Sequence, residues 1–507
     1  MVEKGQVKGV DGPADSNYNL INQLGKGPKY SMHMPGHCGN NEVTPILNQF
    51  LKEYGGNAIE GTTDEVFGTL GNYFPPSGIM KKSLDQAAEL YGTKCTYYGI
   101  NGSTGNLISA TRCLGGNKQV ALLQRNTHRS VAHGFRISGA RLRFSYPDYD
   151  EEHTLFKPLT LDQIKAEVEQ NCDITVVVVT TPTYEGLTAD VPAIAAYCKL
   201  KGLRLLIDGA HGSIFPFHDQ MPHTGIGIDG VDIVVQSLHK AAGAFSQASV
   251  IHLNKTSSID RTQLETALFI TASTSPSNLL LASIEEVIVR NFSKEGKDMI
   301  SKVIGFATQA KDTIRKLPGY QLWEFPGIPQ DPTKVCFDYT GPNGKKLTGE
   351  QIRNYFREHF SVDPEEYTPT SVLFSFHIGT TEATLANFLA AAQTLHTETE
   401  EKLLFKCRTL CEDIRPHAFH KNNSPLQTPV YAVDLQECFQ LKVKSYPAWA
   451  IKQSLESDPY DKQLWVSAQI ISPCPPGCIV VDIGEKIKLW HFKFLDPQQE
   501  LLVFEVN

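Results

Sequence analysis

A lysine, Lys240, follows a strand-like apolar segment in the motif Ser237-Leu238-His239-Lys240, and the small residues Ala241-Ala242-Gly243-Ala244 come directly after it. Residues at the end of a buried strand lie where open α/β sheets bind their ligands. A lysine in a dry site there can attack a carbonyl carbon and form a Schiff base. Taken alone, such a lysine is more often an ordinary surface residue, so its interpretation depends on its partners.

An aspartate, Asp208, ends a second apolar segment and opens the motif Asp208-Gly209-Ala210-His211-Gly212. The 32 residues from Asp208 to Lys240 leave room for one crossover and one strand, which predicts that both residues lie at neighbouring strand ends. A carboxylate there can pair with a protonated pyridine nitrogen and keep a bound ring electron-poor. The alternative is an aspartate that caps a turn. We interpret His211 as a structural loop residue at least as readily as a functional one.

Two further segments could complete such a site. The loop Gly99–Asn106 is rich in glycine and hydroxyl groups and precedes a predicted helix, so its amides could bind a phosphate with Ser103 and Thr104. The loop could equally be a capping turn, and it lacks the Gly-x-Gly-x-x-Gly spacing of dinucleotide sites. His128 follows the apolar segment Val120–Gln124 and could stack on a planar ring, although a lone histidine is more often a polar loop residue.

The elements that must position these residues alternate between short apolar segments and helix-like segments such as Leu161–Glu169 and Val191–Lys201. The alternation predicts an α/β fold with a mainly parallel sheet, because continuous apolar strands are buried on both faces. An amphipathic linker helix is predicted from about Ser283 to Leu317. The predicted strands are Val120–Gln124, Arg141–Tyr146, Ile174–Thr180, Arg204–Asp208, Asp232–Ser237 and Ala248–Leu253.

Four regions are expected along the chain. Residues 1–60 form an N-terminal segment, and residues 61–318 form the large domain that holds the site. Residues 319–398 form a small α+β domain, whose start is marked by prolines, and residues 399–507 form a C-terminal α+β domain.

Composition excludes several classes of partner. The chain has 507 residues and a net charge of −8, which argues against nucleic-acid binding. No run of 18 apolar residues or secretory leader is evident, so we predict no membrane span. Eleven scattered cysteines predict reduced thiols in the cytoplasm. We predict no metal site, because the cluster Cys407, Cys411, His417 and His420 has too short a Cys-to-His gap for a zinc finger.

The phosphate-type loop, the histidine, the aspartate and the lysine follow the order typical of fold-type I pyridoxal 5′-phosphate (PLP) enzymes, of the aspartate aminotransferase-like class. The chain resembles the bacterial-type ornithine/lysine/arginine decarboxylase family within that class. The resemblance implies the short form of the family, without the N-terminal wing domain. The motifs that carry it are His33-Met34-Pro35-Gly36-His37, Asn101-Gly102-Ser103-Thr104, Thr127-His128-Arg129-Ser130, Thr181-Pro182-Thr183-Tyr184-Glu185-Gly186, Asp208-Gly209-Ala210-His211-Gly212, Ser237-Leu238-His239-Lys240, Ser273-Thr274-Ser275-Pro276-Ser277, Asp331-Pro332-Thr333-Lys334 and Cys474-Pro475-Pro476-Gly477.

The resemblance implies a role for each candidate residue. Lys240 would hold PLP as a Schiff base, Asp208 would contact the pyridine nitrogen, and His128 would stack on the ring. His239 or Lys240 would return the proton to the substrate. The residues implied to hold the phosphate are Ser103, Thr104, Ser237 and His239.

A second copy of the chain is also implied. Ser275, in the segment Thr271–Ser277, would reach the phosphate of the neighbouring subunit, because this class builds its active sites at a dimer interface. The resemblance therefore implies a homodimer or a higher homo-oligomer.

The activity implied is decarboxylation of arginine, lysine or ornithine to the amine and carbon dioxide, in the polyamine and amino-acid metabolism of the cytoplasm. The far cation of the substrate could pair with Asp64, Glu65 or Glu185. The substrate itself stays open, because the chain departs from the family pattern at Thr62–Asn72 and at Gln469 and Cys474. The alternatives are transamination or aldol-type cleavage by the same cofactor, and a non-catalytic regulatory homologue.

Overall fold

The computed structural model describes residues 29–61, 70–150, 152–153, 155–342, 344–395, 443–457, 466–467, 486–488 and 499–504. The strands are Tyr30–Met32, Cys95–Gly99, Val120–Gln124, Arg141–Ser145, Tyr149–Asp150, Leu155–Phe156, Val176–Thr180, Arg204–Asp208, Ile233–Gln236, Ser249–Leu253, Tyr320–Leu322, Lys334–Tyr339, Val362–Pro364, Glu366–Tyr367, Val372–Ser375, Val443–Pro447, Val466–Ser467 and Glu500–Phe504. The α-helices are Pro45–Tyr54, Gly56–Glu60, Gly78–Tyr91, Gly102–Leu114, Arg129–Ile137, Leu161–Gln170, Val191–Lys201, Leu238–Ala241, Arg261–Thr271, Asn278–Phe292, Lys294–Lys316, Gly349–Phe360, Glu382–Leu395 and Ala448–Ser457. Short 3₁₀ turns occupy Asn41–Val43 and Phe215–Phe217.

Several sequence predictions fall outside the described residues. They are the carboxylates Asp64 and Glu65, the cluster from Cys407 to His420, Gln469, Cys474 and most of the C-terminal region.

A seven-stranded sheet forms the centre of the large domain, and it confirms the predicted α/β class with a mainly parallel sheet. The strand that begins at Ser249 runs antiparallel to both of its neighbours. All other neighbouring pairs in the sheet are parallel. The strand order across the sheet is Cys95–Gly99, Ser249–Leu253, Ile233–Gln236, Arg204–Asp208, Val176–Thr180, Val120–Gln124 and Arg141–Ser145.

Burial on both faces explains why these apolar segments form strands. In Val176–Thr180 the four valines are fully buried, because helices cover both sides of the sheet. The crossover helix Val191–Lys201 begins at Asp190, whose side chain accepts from the Ala193 amide, and ends at Gly202 in the left-handed region. Sequence patterns predicted both ends of this helix.

The structure differs from the predicted elements at two places. Cys95–Gly99 is a strand that is not among the predicted strands. The amphipathic stretch predicted from Ser283 to Leu317 is two helices, Asn278–Phe292 and Lys294–Lys316, which meet at Ser293. The helix breaks there because the Ser293 hydroxyl accepts from the Gly296 amide and caps the second helix.

The small domain packs three helices against a four-stranded antiparallel sheet around a cluster of buried phenylalanines. The strand Tyr30–Met32 pairs in parallel with Val362–Pro364, so this strand of the N-terminal segment joins the small domain. Among the C-terminal residues that are described, Val443–Pro447, Val466–Ser467 and Glu500–Phe504 form an antiparallel sheet. No helix in the described ranges has the length and apolar character needed to cross a bilayer.

A matched pair of leucines tests the placement of the core. Leu206 lies fully buried in a central strand, whereas Leu200 is 81% exposed on the neighbouring helix. Leu206→Ala should lower the free energy of unfolding by about 2–5 kcal/mol, because it leaves a cavity in a close-packed sheet. Leu200→Ala should change it by less than about 0.5 kcal/mol. Denaturant unfolding followed by circular dichroism measures both, and equal effects would contradict this core.

Candidate active site

The carboxyl ends of the parallel strands lie together at one edge of the seven-stranded sheet, and hydrogen bonds join the loops that follow them. The Thr181 amide donates to the Asp208 carbonyl at 3.0 Å, and the Gly209 amide donates to the Val235 carbonyl at 2.9 Å. Parallel strands share this edge, so side chains far apart in sequence meet there. Most of the candidate residues identified from the sequence lie at this edge.

Lys240 lies at the centre of this edge, in the short helix Leu238–Ala241. Its Nζ is 2.8 Å from Nε2 of His211. Burial and the Lys240 charge hold the pKa of His211 well below its usual range, so the neutral ring accepts this hydrogen bond. Asp208 is buried nearby, where burial raises the pKa of its carboxyl and the Lys240 charge opposes that rise. The three side chains form one cluster, which we call the lysine cluster.

His128 lies close enough to this cluster to feel its charge. Burial, then the charges of Lys240 and Arg129, lower the pKa of His128 to about 4. Its Nδ1 accepts from the Ser130 amide at 3.2 Å and lies 2.7 Å from the Ser130 hydroxyl. The ring is therefore neutral near pH 7 and fixed at the start of the helix Arg129–Ile137.

The Lys240 loop and the loop Gly99–Asn106 both contact the turn at Gln247 and Ala248. The Gly102 amide donates to the Gln247 carbonyl at 2.8 Å. Nδ1 of His239 lies 2.9 Å from the Ala248 carbonyl, so this ring is also held in one orientation. The two loops can therefore contribute donors to a single anion site.

Two features of this region fit an anion. The hydroxyl of Ser237 is fully buried and has no hydrogen-bond partner among the described residues. The helix Gly102–Leu114 has no side-chain cap on its first turn, where Ser103 and Thr104 lie. A buried hydroxyl and uncapped amides at a helix N-terminus are suited to a phosphate.

These features together fit PLP. Ser237, His239 and the first turn of the helix could hold its phosphate, and Asp208 could pair with a ring nitrogen that carries a proton. The neutral ring of His128 could cover one face of the pyridine. Lys240 supplies the amine that a Schiff base requires.

Gly36, in the N-terminal segment, contacts both the Lys240 loop and the small domain. The Gly36 amide donates to the His239 carbonyl at 2.7 Å, and the Gly36 carbonyl accepts from the Gly379 amide at 3.0 Å. A Cβ at position 36 would lie 2.7 Å from the Lys240 carbonyl oxygen. Only glycine allows this close approach, which joins the N-terminal segment, the Lys240 loop and the small domain.

The predicted residues do not all meet in one chain. No described contact joins Ser275 to the lysine cluster; Ser275 is exposed in the loop between Arg261–Thr271 and Asn278–Phe292. Glu185 lies near Lys334, and burial raises the pKa of its carboxyl. The roles of Ser275 and Glu185 stay predictions.

His211 contributes more to the site than its sequence context indicated. It lies in the same motif as Asp208 and contacts Lys240 directly. Its sequence context indicated only a loop position. Its place three residues after a strand-ending aspartate was the available indication. Tyr184, whose ring packs edge-to-face on His211 with centroids 4.8 Å apart, lies in one of the motifs that carry the resemblance but was given no role.

The chain is similar to one known protein family and to several known proteins. Residues 18–364 match the family described as Orn/Lys/Arg decarboxylase, major domain. The chain is 27% identical over 339 residues to the arginine decarboxylase of Bacillus subtilis, covering 66% of this chain and 67% of that protein. It is 25% identical over 466 residues to the arginine decarboxylase of Halalkalibacterium halodurans, covering 90% and 87%. The structure of the constitutive lysine decarboxylase of Escherichia coli has a TM-score of 0.69 and 20% identity, covering 91% of this chain and 74% of that chain.

Removal of the Ser237 hydroxyl tests the anion site. Ser237→Ala should weaken PLP binding by tenfold or more, because a hydrogen bond to a charged group contributes about 1.5–3 kcal/mol. Ser213→Ala is the matched control, since its hydroxyl is equally buried without a partner among the described residues but lies outside the predicted phosphate donors. Titration of cofactor-free protein with PLP measures both affinities. Equal affinities would remove Ser237 from the site.

Proposed function

The chain belongs to the Orn/Lys/Arg decarboxylase family of PLP-dependent enzymes, and we propose that it decarboxylates a basic amino acid at the lysine cluster. The observation that carries the proposed location is the contact of Lys240 Nζ with His211 Nε2 at 2.8 Å, beside the buried Asp208. A lysine amine, a buried carboxylate and a buried hydroxyl at one sheet edge are the groups that PLP requires.

The protein groups would divide the work of binding and orientation. When bound, PLP supplies an electron-poor ring that accepts the electron pair left on the α-carbon as carbon dioxide departs. Asp208 would hold a proton on the ring nitrogen through its negative charge. Ser237, His239 and the first-turn amides near Ser103 and Thr104 would hold the phosphate end. Together these contacts would fix the ring relative to a bound substrate.

A proton must then return to the α-carbon. Lys240 is the first candidate donor, because its amine lies at the centre of the cluster, and His239 is the second. His211 can accept a hydrogen bond from Nζ, so it can hold Lys240 in the orientation that this transfer needs.

Arginine is the substrate that we favour among arginine, lysine and ornithine. Both curated relatives described above are named arginine decarboxylases and are matched over two thirds or more of their length. Glu185 remains a candidate partner for the far cation of the substrate. The product amine would place the reaction in polyamine biosynthesis.

We further propose that the enzyme works as a homodimer in the cytoplasm. Ser275 lies exposed in the single chain, which is consistent with a role at the site of a second subunit. The six cysteines in the described residues are free thiols, as expected in a reducing compartment.

Substitution of Lys240 tests the location of the chemistry. PLP-loaded wild-type protein should release carbon dioxide from arginine without any keto-acid partner, and Lys240→Ala should lose both this activity and the visible absorbance of covalently bound PLP. His223→Ala, in the described large domain but outside the cluster, serves as the control. Carbon dioxide release from labelled arginine, lysine and ornithine, measured in parallel, ranks the three substrates. Amino transfer to a keto acid without carbon dioxide release would instead indicate a transaminase.

Mixed dimers test whether two subunits build each site. Lys240→Ala and Ser275→Asp chains should each be nearly inactive alone. Unfolded together and refolded in equal amounts, they should recover about a quarter of wild-type activity, because half of the dimers then contain one intact site of two. Failure to recover activity on mixing would place Ser275 in the site of its own chain, and full activity of Ser275→Asp alone would place it outside the site.

A further inference from the structure

A buried carboxylate, Glu365, lies where the small domain meets the loop of Tyr184. The Tyr184 hydroxyl donates to Oε1 of Glu365 at 2.9 Å, and the Met34 amide donates to Oε2 at 3.1 Å. Nε2 of His377 lies 3.4 Å from the same Oε2. Glu365 therefore binds three segments that are remote from one another in the sequence.

The charge of Glu365 is retained despite its burial. Burial by itself raises the pKa of this carboxyl, but the Lys334 charge and the hydrogen bonds from His377 and Tyr184 outweigh burial and lower the pKa to about 2. Lys334 donates to the Ser375 hydroxyl at 2.6 Å, and its Nζ lies 5.8 Å from the centroid of the Tyr184 ring. An ionised acceptor makes the hydrogen bond from Tyr184 a strong one.

Tyr184 joins this carboxylate to the lysine cluster. Its ring packs on the ring of His211 at an interplanar angle of 68°, and its hydroxyl is held by Glu365. His211 in turn contacts Lys240 Nζ. Tyr184 is buried, so its ring has no room to turn while the hydroxyl stays bonded.

We propose that Glu365 and Tyr184 are positioning residues: their hydrogen bond holds the Tyr184 ring against His211 and so keeps His211 beside Lys240. Glu365 belongs to the small domain, so the position of that domain is transmitted to the lysine of the large domain. This inference rests on the proposed function in one respect, namely that Lys240 is the lysine that binds PLP.

The charged groups near His211 and near Glu365 determine which substitutions would also change the electrostatics of the site. His211 feels the charges of Lys240 and Lys334. Beside Glu365, burial and repulsion from Glu185 and Glu365 raise the pKa of Glu366 to about 8. A change that keeps every charge in place is therefore the cleanest test, and Tyr184→Phe is such a change.

Tyr184→Phe keeps the ring that faces His211 and removes only the hydroxyl. In PLP-loaded protein we expect kcat to fall roughly tenfold with little change in KM, since an orienting contact is lost and not a binding one. We also expect the pH midpoint of the cofactor absorbance to fall by about 0.5–1 pH unit, because the loss of a neutral acceptor beside Lys240 disfavours the protonated form. Glu365→Gln retains an oxygen acceptor for Tyr184, so it should shift the midpoint less than Tyr184→Phe does.

A second Tyr–Glu pair in the same chain provides matched controls. The Tyr97 hydroxyl donates to Glu265 at 2.5 Å, on an edge strand of the large domain. Tyr97→Phe and Glu265→Gln should leave the pH midpoint and kcat unchanged. If Tyr184→Phe behaves like Tyr97→Phe, or lowers only the melting temperature, the proposal is wrong.

A crystal structure of cofactor-free Tyr184→Phe separates this inference from the proposed function. We expect the separation of His211 Nε2 and Lys240 Nζ to increase beyond hydrogen-bonding distance. An unchanged separation would overturn the positioning role, whatever the wild-type enzyme does with PLP. If the wild-type protein bound no PLP covalently, the proposed function would be wrong. The separation of His211 and Lys240 in the cofactor-free structures would still decide the positioning role.

Discussion

The chain leaves all parallel strands of one sheet at the same edge, and the candidate site depends on this constraint. Asp208 and the Lys240 loop follow neighbouring strands, and His128 follows a third strand of the same direction. Their side chains meet without any local sequence proximity. The constraint also explains why Asp208 and Ser237 are buried, because the strand ends lie between layers of helices. Burial then determines which groups are neutral and which retain their charge.

The large domain could be predicted closely from the sequence because its strands are buried on both faces. The valines of Val176–Thr180 and the apolar residues before Asp208 leave a pattern that a surface strand would not. Gly202 ends the helix Val191–Lys201 for an equally physical reason, since it adopts a left-handed conformation. The order of Ser103, His128, Asp208 and Lys240 along the sequence indicated the site, although each residue alone was a weak indication.

What escaped prediction lacked a local pattern. The strand Cys95–Gly99 contains threonine and two tyrosines in place of aliphatic residues, so it did not resemble its neighbours. The break at Ser293 interrupts an amphipathic pattern that continues on both sides. The pair formed by Tyr184 and Glu365 spans 181 residues, and no periodicity of either segment indicates the other. Contacts of this kind come from domain packing, which a single sequence does not display.

The two hydrogen bonds of Gly36 have a consequence for the order in which the protein is made. Its first partner, the His239 carbonyl, is synthesised 203 residues after it, and its second, the Gly379 amide, 343 residues after it. Contacts that close such long stretches of chain form late, after the intervening domain has folded. The Lys240 loop therefore reaches its final shape only after Gly379, about three quarters of the way along the 507 residues, has left the ribosome. We therefore expect cofactor capture to follow the docking of the small domain, and not to occur on the large domain alone during its synthesis.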